Sequence, residues 1–185
     1  MRMRLRLFVL LGLLALALSA VAHAAKPKPK PNPAFARTAC AKLVPLLQPL
    51  APGVTILGSR TNTLAPKGID CWFQANGQAK AFNIDVIKGA DAKPNFAATL
   101  KQYKGYAADA TITCSDGSAQ ASLQTINSSF FAWESCPPPQ TGYILAGGYS
   151  GTTYAYVYAN PYRVAPSLAQ VEGVVHTLLA KFRKP

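Results

Sequence analysis

Acid is scarce in this chain and histidine almost missing. Its 185 residues hold 7 Asp and Glu against 19 Lys and Arg, with 2 His. One of those, His23, falls in a leader described below, so His176 alone is left for imidazole chemistry. A histidine base needs a nucleophile and an orienting carboxylate converging on it, and His176 sits instead one turn beyond Glu172 as an ordinary solvated pair. The nucleophile-elbow spacing Gly-x-Ser-x-Gly is missing, since Gly148-Tyr149-Ser150-Gly151 is one residue short of it. There is no His-Glu-x-x-His, phosphate-binding loop or dinucleotide glycine pattern. No two of the 4 cysteines are close enough for the C-x2–4-C pairs that zinc sites favour. The residues therefore imply no metal and no cofactor. A clustered basic face with interleaved aromatics, the mark of nucleic-acid binding, is lacking too.

What is present begins at the N-terminus. Met1–Arg6 carries three arginines, Leu7–Leu18 is an apolar run, and Ala22-His23-Ala24 supplies small residues at −3 and −1 of a cut site. That is the layout of a signal peptide over 1–24. The competing reading is an uncleaved anchor, against which Ser19 and His23 interrupt the end of the apolar stretch. No cysteine ends the run, so the acceptor for a lipid anchor is lacking and a soluble exported product is expected. Residues 25–33, AKPKPKPNP, form a Lys/Pro spacer with an extended polyproline path. The formal charge of +12 then shrinks. Removing Arg2, Arg4, Arg6, Lys26, Lys28 and Lys30 from the nineteen leaves thirteen cationic against seven acidic side chains. Residues 34–185 suit one domain.

Cys40, Cys71, Cys114 and Cys136 all follow the cut site. An even count in an exported chain reads as two disulfides with three possible connectivities. Sequential pairing, Cys40–Cys71 and Cys114–Cys136, asks least of the topology.

Local signals set out an α+β domain. Thr38 can cap a short helix to Leu47, unless Pro45 marks the first turn of a later one. Val54–Leu57 reads as a strand. Asn76-Gly77 is a strong two-residue turn between strands Ile69–Ala75 and Gln78–Ile87. Its register places Phe73 opposite Lys80 and Cys71 opposite Phe82. Asn95–Lys104 is a helix with Gly105 as its stop, and Ala110–Cys114 a strand. Ala119–Phe130 is ambiguous, a helical stripe weakened by Ser, Thr and Asn. Tyr143–Gly148 and Thr152–Tyr158 make a second hairpin. Ser167 and Gln170 form a capping box for a last helix whose buried stripe is Leu168, Val171, Val175, Leu178 and Phe182. The whole predicts a twisted antiparallel sheet of about five to seven strands, packed on one face by two or three helices.

Two groups carry candidate chemistry. Asp70 and Asp85 fall on the hairpin face opposite the core as diagonal neighbours, with Trp72 beside them, so an acid pair acting on glycan is conceivable. The plainer reading is a solvated sheet face. Tyr143, Tyr149, Tyr154, Tyr156, Tyr158 and Tyr162 cluster within twenty residues. They offer a platform for a glycan or a partner protein. The alternative is that the rings pack beneath the terminal helix. Asn127-Ser128-Ser129 is a glycosylation sequon, meaningful only in a eukaryotic secretory pathway.

The order of elements, with Thr38–Leu43 around Cys40, strand Val54–Leu57, Cys71-Trp72 in a strand and the helix Pro166–Lys181, resembles a family of small exported actinobacterial domains of unknown function, many of them lipoproteins. It is similar in outline to extracytoplasmic sensor domains of bacterial kinases. The resemblance implies an α+β domain with a Cys40–Cys71 bridge and no particular activity; the missing lipid-acceptor cysteine and the Lys/Pro spacer depart from it. The expectation is a non-enzymatic domain, exported to the periplasm, cell envelope or medium. It binds an unidentified envelope ligand or protein through Trp72, Tyr143, Tyr154, Tyr156 and Tyr158. The alternatives are a small glycan hydrolase using Asp70 and Asp85, or an envelope protein held by charge.

Overall fold

A computed structural model describes residues 32–61, 68–109, 122–136, 144–160, 164 and 166–182, with only the backbone path of 106–109 and 122–126. The signal-peptide segment, most of the spacer, Ala110–Cys114, Cys114, Tyr143 and Tyr162 lie outside the described residues.

Helix α1 spans Pro33–Ala41 and begins earlier than the Thr38 cap predicts. Asn32 caps it by accepting from the Phe35 amide at 3.1 Å, and Pro33 costs nothing in the first turn, where its missing N–H would have no partner. A short α2, Val44–Leu47, follows with Pro45 in its first turn. Strands β1 (Thr55–Thr61), β2 (Ile69–Ala75) and β3 (Gln78–Lys88) lead to α3, Ala92–Asp109. Then come β4 (Ser122–Ile126), β5 (Phe130–Glu134), β6 (Ile144–Ser150), β7 (Thr153–Ala159) and α4 (Leu168–Phe182).

Among the described residues the seven strands form one antiparallel sheet in the order β1-β2-β3-β7-β6-β5-β4. The helices, however, do not share one face. Ile69, Cys71 and Phe73 of β2, Phe82, Ile84 and Val86 of β3 and Ala155, Val157 and Ala159 of β7 pack with Leu43, Leu47, Val171, Val175 and Leu178 of the α1–α2 and α4 layer. On the reverse face Ile87, Phe131, Trp133, Leu145 and Tyr154 pack with Ala92 and Phe96 of α3. The expected helices-on-one-face arrangement is thus corrected to three layers. Both faces of β7 are apolar enough to bury, small residues on one and tyrosines on the other, so each takes its own helix.

The turn at Asn76-Gly77 forms as its chemistry demands, with φ of +51° and +71° and Ala75 paired to Gln78. Beyond it a bulge intervenes, where Lys80 takes φ +56°, and Phe73 faces Phe82 rather than Lys80. The slip is of two residues, an even number, so from Phe82 onward each side chain keeps its predicted face while its partner changes, and within the bulge Lys80 turns outward to solvent while Ala81 enters the core. Burying Phe82 in place of the Lys80 ammonium opposite Phe73 favours the slip, since full burial of such a ring stabilises by about 1.5–3 kcal/mol.

Of the ambiguous Ala119–Phe130 segment, the described part, 122–130, is strand and turn rather than helix, and 119–121 lie outside the described residues. Asn127 Oδ1 accepts from the Ser129 amide at 2.8 Å and its own amide donates to Phe130 O at 2.9 Å, closing a tight bend between β4 and β5. The capping box of α4 is present, with the Ser167 amide donating to Gln170 Oε1 at 2.8 Å and the Gln170 amide to Ser167 Oγ at 3.3 Å.

Cys40 on α1 is bonded to Cys71 on β2, with Cα atoms 5.7 Å apart, and ties the N-terminal helix to the sheet. Only this one of the two expected bridges is seen among the described residues. Cys136 is not a free thiol, but Cys114 lies outside them. A closed disulfide fits an oxidising compartment. No helix among the described residues is long and apolar enough to cross a membrane.

Candidate functional site

The α3 face of the sheet gathers most of the residues singled out by sequence. The two-residue alternation puts Asp70 and Trp72 of β2, Asn83 and Asp85 of β3, and Tyr154, Tyr156 and Tyr158 of β7 on this side. Pairing then aligns them in rows: Asp70 against Asp85 against Tyr156, and Trp72 against Asn83 against Tyr158.

The slip at Lys80 converts the expected Asp70–Asp85 diagonal into direct opposition. Asp70 is buried and well supplied. Its Oδ2 accepts from Arg60 Nε and Nη2, each at 2.8 Å, and its Oδ1 from Asn83 Nδ2 at 2.7 Å. Among the described residues Asp85 has no such ion pair of its own. Burial, the adjacent Asp70 carboxylate and a hydrogen bond between the two side chains push the Asp85 carboxyl up to about 8, against a weaker opposing pull from Arg60. Burial beside a second carboxyl thus favours the protonated form of Asp85. Trp72 stands beside them with the Arg60 guanidinium carbon 5.0 Å from its ring centroid. Gly58 lies close beneath, where an added Cβ would come within 3.2 Å of the indole.

The described tyrosines of the cluster, Tyr149, Tyr154, Tyr156 and Tyr158, pack on the α3 side of the sheet, not beneath the terminal helix. Tyr154 is 3% exposed and its hydroxyl donates to Thr99 Oγ1 at 3.1 Å. Tyr156 stacks on Tyr103 with ring centroids 6.4 Å apart, and their hydroxyls share a 2.9 Å hydrogen bond. Burial drives both Tyr154 and Tyr156 well above the usual phenol range, so both stay neutral. Tyr156 and Tyr158 are half-buried at the border of this layer.

A groove opens along α3, from Lys93 to Lys104. It has a volume of about 830 Å³. Phe96, Leu100 and Tyr149 line its apolar part, with the Phe96 and Tyr149 rings 6.1 Å apart. Lys93, Lys101 and Lys104 project along one edge, while Ser128, Ser129 and Ser150 form the other. A second hollow of about 460 Å³ adjoins it across Ser129, Tyr149 and Ser150. That one is bounded by Glu172 and His176 of α4, and the exposed His176 ring lies flat on Phe130 at 4.6 Å.

Sequence reasoning did not find this groove, although its parts carried signals. Helix α3 runs through Gly105 rather than stopping there. On it Lys93, Lys101 and Lys104 recur at helical spacing beside the Phe96, Leu100 and Tyr103 stripe. The rim that faces them comes from two turns distant in sequence, Ser128-Ser129 and Ser150-Gly151. Among the described residues no three His, Cys, Asp or Glu side chains converge as metal ligands. No family model, curated protein or solved structure matches this chain.

Proposed function

We propose that this chain is an exported, non-catalytic binding domain acting outside the cytoplasmic membrane, and that the groove along α3 is its binding site. The leader, the Lys/Pro spacer and the Cys40–Cys71 bridge support export, and a second bridge, Cys114–Cys136, belongs to the same proposal. The groove carries the binding reading. Its volume falls in the range of small-ligand sites, and it combines an apolar floor with a few polar groups at the edge. Trp72, Tyr156 and Tyr158 remain contact candidates on the neighbouring part of the same sheet face. The test is retention of the folded chain on an isolated cell-envelope fraction, compared with the variant Ala97→Glu. Ala97 is exposed and lines the groove, so a glutamate there keeps the helix and obstructs the site. Equal retention of both proteins sinks the assignment.

The second reading is a glycan hydrolase working through Asp70 and Asp85. The facing carboxyls and the raised Asp85 pKa favour it. Against it, a retaining pair needs a gap of about 5–5.5 Å to admit the sugar carbon, whereas these groups hydrogen-bond to each other and Arg60 and Asn83 occupy Asp70. Release of reducing ends from envelope glycan, lost in Asp85→Asn with folding intact, would establish the enzyme.

A further inference from the structure

We infer that the α3 groove takes an anionic amphiphile, a single apolar chain carrying a carboxylate or phosphate head, a proposal that rests on the groove being the binding site. Charge decides the head. Lys93, Lys101 and Lys104 all lie on the groove and no acidic side chain among the described residues lines it, so a cationic or neutral head would leave three ammonium groups uncompensated. These lysines make none of the described salt bridges, which leaves them available.

The apolar floor decides the tail. A free phosphate or a short acid would satisfy the lysines and leave the half-buried Leu100 side chain and Tyr149 ring wet, above a Phe96 that the fold already buries. Covering them with methylenes gains about 25 cal/mol for each Å² removed from water. The lysine stems extend that apolar lining while their heads stay in solvent, so one molecule can touch both in a single pose. The open form of the groove suits a chain lying along α3 beside the β6–β7 tip rather than a ring enclosed on all sides.

The test is calorimetric titration of the folded full chain with dodecanoate below its micellar concentration. Dodecyltrimethylammonium and dodecyl maltoside serve as matched-chain controls, and acetate as the head without the tail. Saturable binding of dodecanoate is expected, with the three controls at least tenfold weaker. Lys101→Glu/Lys104→Glu should weaken dodecanoate at least tenfold. Arg37→Glu/Lys42→Glu, an equal charge change on exposed positions of the α1 end, should leave it within twofold. Equal affinity for all three head groups, or no loss in the Lys101/Lys104 variant, overturns the proposal. So does binding to anionic vesicles with none to the monomer. If dodecanoate fails while Ala97→Glu still abolishes envelope retention, the ligand class falls and the groove stands. If Ala97→Glu changes neither, both fall.

Discussion

Replacing Asp85 by asparagine separates charge from shape at the carboxyl pair. In the unfolded chain this group ionises near 3.8, and in the fold near 8. Between those values the native state holds a proton that the unfolded state has released. The contribution is therefore fully present below about pH 4, falls as pH rises through the window, and levels off above about 8. Each pH unit is worth about 1.4 kcal/mol, so the full interval bounds the loss at about 6 kcal/mol. Asp85 is only half-buried, and water reaching it brings the expected loss to about 2–3 kcal/mol. Asparagine cannot ionise, yet its amide can donate to the Asp70 carboxylate as the protonated acid does. Urea unfolding at pH 4.5, 7 and 9 should show the parent losing stability relative to Asp85→Asn as pH rises, the two nearly equal at the acid end. Lysine and tyrosine titrations cancel in that difference. Parallel pH profiles would refute the reasoning, and so would a variant that is less stable throughout.

Opening Cys40–Cys71 by Cys40→Ala/Cys71→Ala should cost about 3–4 kcal/mol for its separation of 31 residues, read as the shift of the urea midpoint. Lys80→Gly should raise stability by about 0.5–1 kcal/mol, because the bulge holds a side chain at φ +56° that glycine adopts without strain. A fall in melting temperature would count against the bulge. Two alanine substitutions should move in opposite directions. Gly148→Ala would bring a methyl within 2.7 Å of Leu179 and 3.0 Å of Phe130, pushing α4 off the sheet at about 1–3 kcal/mol. Gly105→Ala meets nothing within 4 Å inside α3 and should gain about 0.5–1 kcal/mol. Thermal melts of the pair decide both.

Legibility in the sequence followed the range of the interaction. Asn76-Gly77, the Ser167–Gln170 box and the alternation of β2, β3 and β7 are settled by neighbours a few residues apart, and each stands in the structure as it reads in the chain. Strand β5 escaped because Phe130–Glu134 is buried on both faces, which erases the two-residue period that betrays a strand. Helix α3 was placed but not its reach past Gly105, since packing of Phe96 and Tyr103 on the sheet outweighs one residue's propensity.

By itself, then, the order of residues determined the elements with a clear period or cap, namely β2, β3, β6, β7 and the last helix, and which side of those strands a residue occupies, because alternation and capping are local. Only the tertiary structure decided that Asp70 meets Asp85 head-on, that α3 and α4 take opposite faces, and that two serine turns close a groove against three lysines. Alternation assigns a face but leaves the partner open by any even slip. The partner is set by how large rings bury best across strands and layers far apart in the chain.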